Sequence, residues 1–272
     1  MNTVFFTDGL FLQVPQNVKI PKPIHAVYLS VNDGRKTQSH PRNLILLGED
    51  SQVTLIEHFW GDNVGPYLTN ALTEVCLSRG AVLEHVKIQD ESREAYHIGT
   101  LAVKQEEASR LVSRNFLQGS GFSHQETESL LGGMKGECVY EGLYLLKDEQ
   151  HMDILTYIDH LSPSCKSEEI FKGVLDGKAT GVFGGRILVR ENAQKTDARQ
   201  VNKDLQLSNA IGPLASQLAA IRTKTAARFY AILTPDQKDK FSAIMDKRLS
   251  GGFRPAGFTR RGPESRRQPT QQ

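Results

Sequence analysis

Short apolar runs recur along the first three-quarters of the chain, each ending at a polar or glycine-containing turn. Examples are Asn43–Leu47 (NLILL), Gln52–Glu57 (QVTLIE), Val82–Ile88 (VLEHVKI), Ile98–Lys104 (IGTLAVK) and Arg110–Leu117 (RLVSRNFL). Ile154–Ile158 (ILTYI), Val182–Val189 (VFGGRILV) and Val201–Leu207 (VNKDLQL) continue the series. Many of them alternate with period two, with Val82, Glu84 and Val86 on one side and Leu83 and His85 on the other. Successive side chains of a strand point to opposite faces, so this pattern predicts half-buried β-strands. Gly48-Glu49-Asp50, Ser78-Arg79-Gly80, Gln89-Asp90-Glu91-Ser92 and Gly119-Ser120-Gly121 are the turn signals between them. Tyr67–Leu77 is ambiguous, because Leu68, Leu72 and Val75 also fit one face of a helix.

Sandwiches, barrels and β-helices all produce such a series. Two features favour a coil of stacked rungs. Strand signals continue with no long helix between them, and the Asp-Gly pairs that announce tight hairpins occur only at Asp8-Gly9, Asp33-Gly34 and Asp176-Gly177. No repeat of fixed length is visible.

After Ala210 the texture changes. Leu214, Leu218, Ile221, Thr225 and Phe229 recur at helical spacing. Thr234 then offers an N-cap, Pro235 suits the first helical position and Gln237 completes a capping box. Phe241, Ile244, Met245 and Leu249 form the next apolar stripe, and Gly251-Gly252 ends it. The expected organisation is a β core over 1–210, a helical hairpin over 211–250 and a disordered, basic tail over 251–272.

Composition narrows the functional classes. The formal net charge is only +2, and the tail holds five arginines against Glu264, so the rest of the chain is net −2. Nucleic-acid binding is not expected of such a molecule. Three widely spaced cysteines, Cys76, Cys138 and Cys165, make neither a disulfide framework nor a four-cysteine metal site. The first fifteen residues lack a basic segment before an apolar one, and no run of about eighteen apolar residues occurs, so a cytoplasmic chain without a membrane span is expected.

Individual residues support no catalytic, cofactor-binding or metal assignment. His160 and Cys165 stand five apart in HLSPSC, and two donors do not make a metal site, so a loop histidine and a half-buried thiol are expected. Cys76 and Cys138 lie in strand-like runs and read as core residues. His85 reads as an outward polar residue of a strand. Gly173, Gly177, Gly181, Gly184 and Gly185 miss the phosphate-loop spacing and read as corners between rungs.

Longer motifs carry a family resemblance. Asp8–Pro15 (DGLFLQVP), Lys22–His25 (KPIH), His40–Asp50 (HPRNLILLGED), Thr69–Ser92 and Ala95–Ile98 contribute to it. Its most specific part is Lys172–Ser208, with Gly181-Val182-Phe183, Arg190, Ala193–Asp197 and Asn202-Lys203. Over about 210 residues the chain resembles the SufB/SufD family of iron–sulfur cluster assembly proteins, and in particular its SufD branch. The resemblance implies a right-handed parallel β-helix and a scaffold role rather than an enzymatic one. It further implies a cytosolic complex with SufB-like and SufC-like (ABC ATPase) partners, in which ATP turnover exposes cluster-forming groups. No cofactor is expected on this chain alone; the iron–sulfur cluster, and in some members a reduced flavin, belong to the complex. The family pattern stops near Ala210, before the Cys-Ser-His-Gly-Ala-Thr type motif that holds the SufD interface histidine. No functional residue of the family therefore carries over, and a partial or defective SufD is expected. The helical tail, with Leu233-Thr234-x-x-Gln237, resembles instead the LTxxQ motif of periplasmic stress proteins. Two other classes are set lower. A β-helix carbohydrate-active enzyme or acyltransferase needs an acidic cluster or hexapeptide repeat, and a stress chaperone needs export.

Overall fold

The computed structural model describes residues 2–31, 36–61 and 65–207. The expected hairpin and basic tail, and the LTxxQ-like run, lie outside them. A single helical turn, α1 (Asn2–Phe5), precedes the strands β1 (Phe11–Val14), β2 (Ile24–Ser30), β3 (Thr37–Ser39), β4 (Arg42–Leu47) and β5 (Gln52–Gly61). Then come β6 (Tyr67–Leu77), β7 (Val82–Asp90), β8 (Tyr96–Gln105), β9 (Arg110–Gln118) and β10 (Phe122–Leu131). The series ends with β11 (Glu137–Leu146), β12 (His151–His160), β13 (Lys166–Asp176), β14 (Thr180–Val189) and β15 (Asp197–Leu207). Tyr67–Leu77 is thus a strand; its β-branched threonines and valine suit a pleated surface with a partner strand on either side.

The strands alternate between two sheets. One runs β1-β4-β6-β8-β10-β12-β14, with β3 beside β6; the other runs β2-β5-β7-β9-β11-β13-β15. Every pairing between named strands is parallel. Each coil of the chain gives one strand to each sheet, so the fold is a parallel β-solenoid of seven coils. The coil length is not constant. Phe11 lies opposite Leu44, 33 positions on, whereas Tyr96 lies opposite Phe122, only 26 on. Length variation of this size hides the repeat from any search for a fixed period.

What does repeat is a corner. Asn17, Asp50, Gly80, Ala108, Lys135, Ser164 and Lys195 occur once per coil, all with φ between 53° and 68°. The amide of each of the first six donates to a carbonyl of the following coil, as in Asp50 N–H to Arg79 O at 2.9 Å and Ala108 N–H to Met134 O at 2.8 Å. At the second, third, fourth and sixth corners the left-handed turn sends the next residue into the lumen, where it is small. Ser51, Ala81, Ser109 and Cys165 hold that place, each 0% exposed. The Ser51 hydroxyl donates to Gly48 O at 2.7 Å, and the Cys165 thiol sits 3.2 Å from Gly133 O. Cys165 is therefore a sealed corner residue rather than a half-buried loop thiol, and burial pushes its thiol up.

Three other expectations are corrected. His160 closes β12 and is 0% exposed, with Nε2 3.0 Å from Ser167 Oγ. Cys76 is exposed, because it falls on the outward parity of β6, while Cys138 is buried as expected. Of the five clustered glycines only Gly177 is a corner, with φ +68°. Gly173 lies inside β13 and Gly181, Gly184 and Gly185 inside β14. A Cβ on Gly173 would strike the Tyr144 ring, and one on Gly185 would strike Gln200. Gly173 thus makes room for the buried Tyr144 ring.

One side of the lumen is apolar. Ile45, Leu47, Val75, Leu77, Leu83, Leu111, Leu131 and Ile158 stack through successive coils, all at most 2% exposed. Each such side chain contributes about 1.5–3 kcal/mol of burial, and each coil relies on its neighbours to cover it. No helix of the described residues is long and apolar enough to cross a membrane.

Candidate functional site

The other side of the lumen is polar. On β5, β7 and β9 the inward parity that carries Val53, Leu83 and Leu111 continues into Glu57, then His85, Lys87 and Gln89, then Ser113. The facing sheet adds Asn43, Thr69, Thr73, His97, Ser123 and Gln125. Alternation dictates that these side chains enter the lumen, and hydrogen bonding makes that tolerable.

Two linked groups result. In the first, Glu57 is the acceptor at the centre. Asn43 Nδ2 donates to its Oε1 at 2.6 Å and Thr73 Oγ1 donates at 2.9 Å. His85 Nε2 donates to Oε2 at 2.8 Å, while His85 Nδ1 lies 2.9 Å from Ser113 Oγ. Burial alone would raise the Glu57 carboxyl, but the His85 hydrogen bond, the charges of His85 and Lys87 and the Thr73 hydroxyl hold it below its ordinary value. In the second group, Lys87 Nζ donates to Gln125 Oε1 at 2.6 Å and lies 5.1 Å above the Phe59 ring. Gln125 Nε2 donates to Gln89 Oε1 at 2.9 Å, and Gln89 Nε2 to Ser120 Oγ at 2.6 Å. Glu91 accepts from Thr69 at 2.7 Å and from His97 Nδ1 at 2.7 Å. Burial brings Lys87 down to about 8, with Glu57 and Glu91 resisting the fall, and burial likewise lowers His97.

Glu57, His85 and Ser113 stand in the order acid, base, hydroxyl, which is the order of a nucleophilic triad. Both Glu57 and His85 are 2% exposed or less, and Ser113 is 0% exposed, so no substrate reaches the hydroxyl. The arrangement can hold and pass protons inside the coil, and it fixes the register of four successive coils. None of the three cysteines belongs to it. His85, which the sequence suggested would face solvent, lies at its centre; the period-two pattern identified its neighbours correctly but could not say which of two nearly equal faces turned inward. Glu57, Lys87 and Glu91 matched no catalytic or ligand-binding motif. Their only signal was charge at the parity of Val53 and Leu83.

Comparison with known proteins places this coil. Residues 29–211 match the family described as "SUF system FeS cluster assembly, SufBD core domain". The chain belongs to the SufBD family. An iron–sulfur cluster assembly SufBD family protein of Synechocystis is 28% identical over 217 residues, covering 77% of this chain and 48% of the relative. SufD of Escherichia coli is 27% identical over 193 residues, covering 71% and 44%. SufB of Bacillus subtilis is 25% identical over 178 residues, covering 64% and 37%. This SufBD chain thus spans about half the length, or less, of the curated relatives it matches.

Proposed function

We propose that this chain is a SufD-like scaffold subunit of a SUF-type iron–sulfur cluster assembly complex, working in the cytoplasm. The observation that carries the reading is the coincidence of the family match, residues 29–211, with an unbroken run of parallel coils from β2 to β15. A coil whose polar lumen is closed to solvent presents surfaces to other proteins and does no chemistry of its own. SufB-like and SufC-like (ABC ATPase) subunits are its partners, and the cluster is cargo of the assembled complex. The coil is right-handed in this reading, the hand implied by its family. A reduced flavin does not fit the described residues. The internal void is walled by the hydrogen-bonded side chains Glu57, Thr73, His85, Lys87 and Gln125 and by the Phe59 ring, and the corner grooves are lined by charged groups such as Arg93, Asp148 and Lys178. In this reading any reduced flavin belongs to the assembled complex.

Co-expression of the tagged full chain with SufB-like and SufC-like subunits tests the proposal. Recovery of both partners at fixed stoichiometry is the expected result. Recovery of neither, from a chain whose circular dichroism shows a folded β-protein, overturns it. Turnover of a carbohydrate or acyl substrate by the purified chain would overturn the non-enzymatic part.

A further inference from the structure

Glu57, Lys87 and Asn115 form one column in the lumen. Lys87 is the register partner of Glu57 on one side and of Asn115 on the other, and all three follow the inward parity of β5, β7 and β9. Adjacent strands stand about 4.8 Å apart, so an acid and a base in register are placed to pair. Here their head groups turn to other partners instead. Lys87 Nζ goes to Gln125 Oε1 at 2.6 Å, whereas Glu57 takes Asn43 at 2.6 Å, Thr73 at 2.9 Å and His85 at 2.8 Å. The two charges still act on each other: Lys87 helps to lower the Glu57 carboxyl, and Glu57 resists the fall of Lys87.

The three column residues line an internal void of about 20 Å³, together with Ala71, Leu101 and Ile154. A buried water needs about 10–15 Å³ and about two to four polar partners. The void is large enough for that and too small for a bulkier ligand. The column supplies the partners. Gln125 takes one of the three Lys87 donors. Asn43, Thr73 and His85 take three of the roughly four acceptor positions of the Glu57 carboxylate, and the Tyr28 hydroxyl, at 3.5 Å, is too distant to fill the fourth. The Asn115 amide is loosely held, with Nδ2 3.5 Å from Ser113 Oγ and 3.4 Å from Glu141 O.

We propose that this void binds a single water molecule, which accepts a hydrogen bond from Lys87 and donates to the Glu57 carboxylate and to the Asn115 side-chain carbonyl. Bound there, it joins the Glu57–His85–Ser113 group to the Lys87–Gln125–Gln89 group, so the polar lumen becomes one network. A bridging water is nearly as favourable in enthalpy as a direct hydrogen bond, which gives the buried ammonium a second acceptor. Glu57 is 2% and Lys87 9% exposed, so the water leaves only when the coil opens.

The test compares the full native chain with Ala71→Val, whose added methyl groups fill the void. Oxygen-17 relaxation dispersion counts long-lived internal waters and is blind to exchanging hydroxyl protons. The expected result is a single long-lived water fewer in Ala71→Val than in the native chain. In the native chain, water is also expected to give nuclear Overhauser contacts of slow-tumbling sign to the Ala71 and Ile154 methyl groups. Urea midpoints check that the variant is folded; if it is not, the contacts in the native chain decide alone. Equal water counts in the two folded chains, or no water contact at the Ala71 and Ile154 methyls, overturns the proposal. Both readouts concern the lumen and are independent of whether the chain assembles with SUF partners.

Discussion

Oε2 of Glu57 and Nε2 of His85 meet at 2.8 Å in the lumen of the coil, with both side chains 2% exposed. They sit on adjacent strands two residues out of register, since Leu55 is the partner of His85 and Lys87 the partner of Glu57. The contact is therefore diagonal, and it leaves each end free for a second partner: Asn43 and Thr73 at the carboxylate, Ser113 at the ring. Removing the buried carboxylate leaves Asn43, Thr73 and His85 without their shared partner, which costs about 1–3 kcal/mol. Glu57→Leu is expected to lower stability by that amount in urea denaturation. A loss under about 1 kcal/mol would mean that the network contributes little.

The same carboxylate sets an acid limit. Its folded-state value lies below the ordinary 4.5. The stability this adds is complete above the unfolded value and disappears as pH falls through the folded one. Urea midpoints measured from pH 7 down to pH 3 are expected to fall more steeply for the native chain than for Glu57→Gln below pH 4.5. Parallel curves would contradict the assignment.

Lys87 acts at the alkaline end, where its slope has the same sign. Burial brings it from 10.5 to about 8, so between those values the unfolded chain binds the proton and the folded chain does not. Stability therefore rises with pH across that window. The gap corresponds to about 3 kcal/mol, and Lys87→Met, which has no proton to lose, is expected to remove the rise. At neutral pH the methionine also relieves the burial of charge, offset by the unpaired Gln125 carbonyl. Urea midpoints between pH 7 and pH 10.5, native against variant, decide the matter.

Gly99 is the position on which the second polar group depends. A Cβ there would meet Lys87 Nζ, Gln125 Oε1 and His97 Nε2 together. Overpacking a filled interior costs roughly 1–3 kcal/mol, so Gly99→Ala is expected to destabilise the chain and shift the His97 ring resonances. Gly132→Ala is the control, since its Cβ would meet only Gln105 O at 3.4 Å, an ordinary contact. Equal effects at the two positions would count against the close packing around Lys87.

The strands were legible wherever apolar alternation was strong. Gln52–Glu57, Val82–Ile88 and Ile98–Lys104 all lie within strands. Phe122–Leu131 was not, because its outward face carries His124, Glu126 and Glu128 and its inward face Ser123, Gln125 and Ser129. Polar residues on both faces leave no hydrophobic contrast for a period-two search. The candidate lumen site failed for the same reason, since a buried histidine or lysine looks like an exposed one until its hydrogen-bond partners are known. Those partners are distant in sequence: 28 positions separate His85 from Glu57, and 38 separate Lys87 from Gln125. The family motifs supplied the coil, but the inward identity of these residues came only with the register.

The corner column offers a test of the repeat itself. Position by position it holds Asn17, Asp50, Gly80, Ala108, Lys135, Ser164 and Lys195, and only one of these is glycine. Asparagine and aspartate tolerate the left-handed region through local hydrogen bonding, whereas alanine has no such compensation. Ala108, at φ 54°, keeps the conformation because its amide donates to Met134 O and Ser109 beyond it is fully buried. The coil above and the coil below thus hold the residue in place at the expense of local strain. Ala108→Gly relieves that strain and is expected to stabilise the chain by up to about 1 kcal/mol, the gain being trimmed by the greater freedom of glycine in the unfolded state. Gly80→Ala does the reverse at the same place one coil earlier, and its Cβ also meets the Asp50 carboxylate, so a loss of about 1–2 kcal/mol is expected. Urea denaturation of the two single variants gives shifts of opposite sign if the corners are equivalent. Shifts of the same sign would show that each corner is set by its own surroundings and that the column does not act as one repeated device.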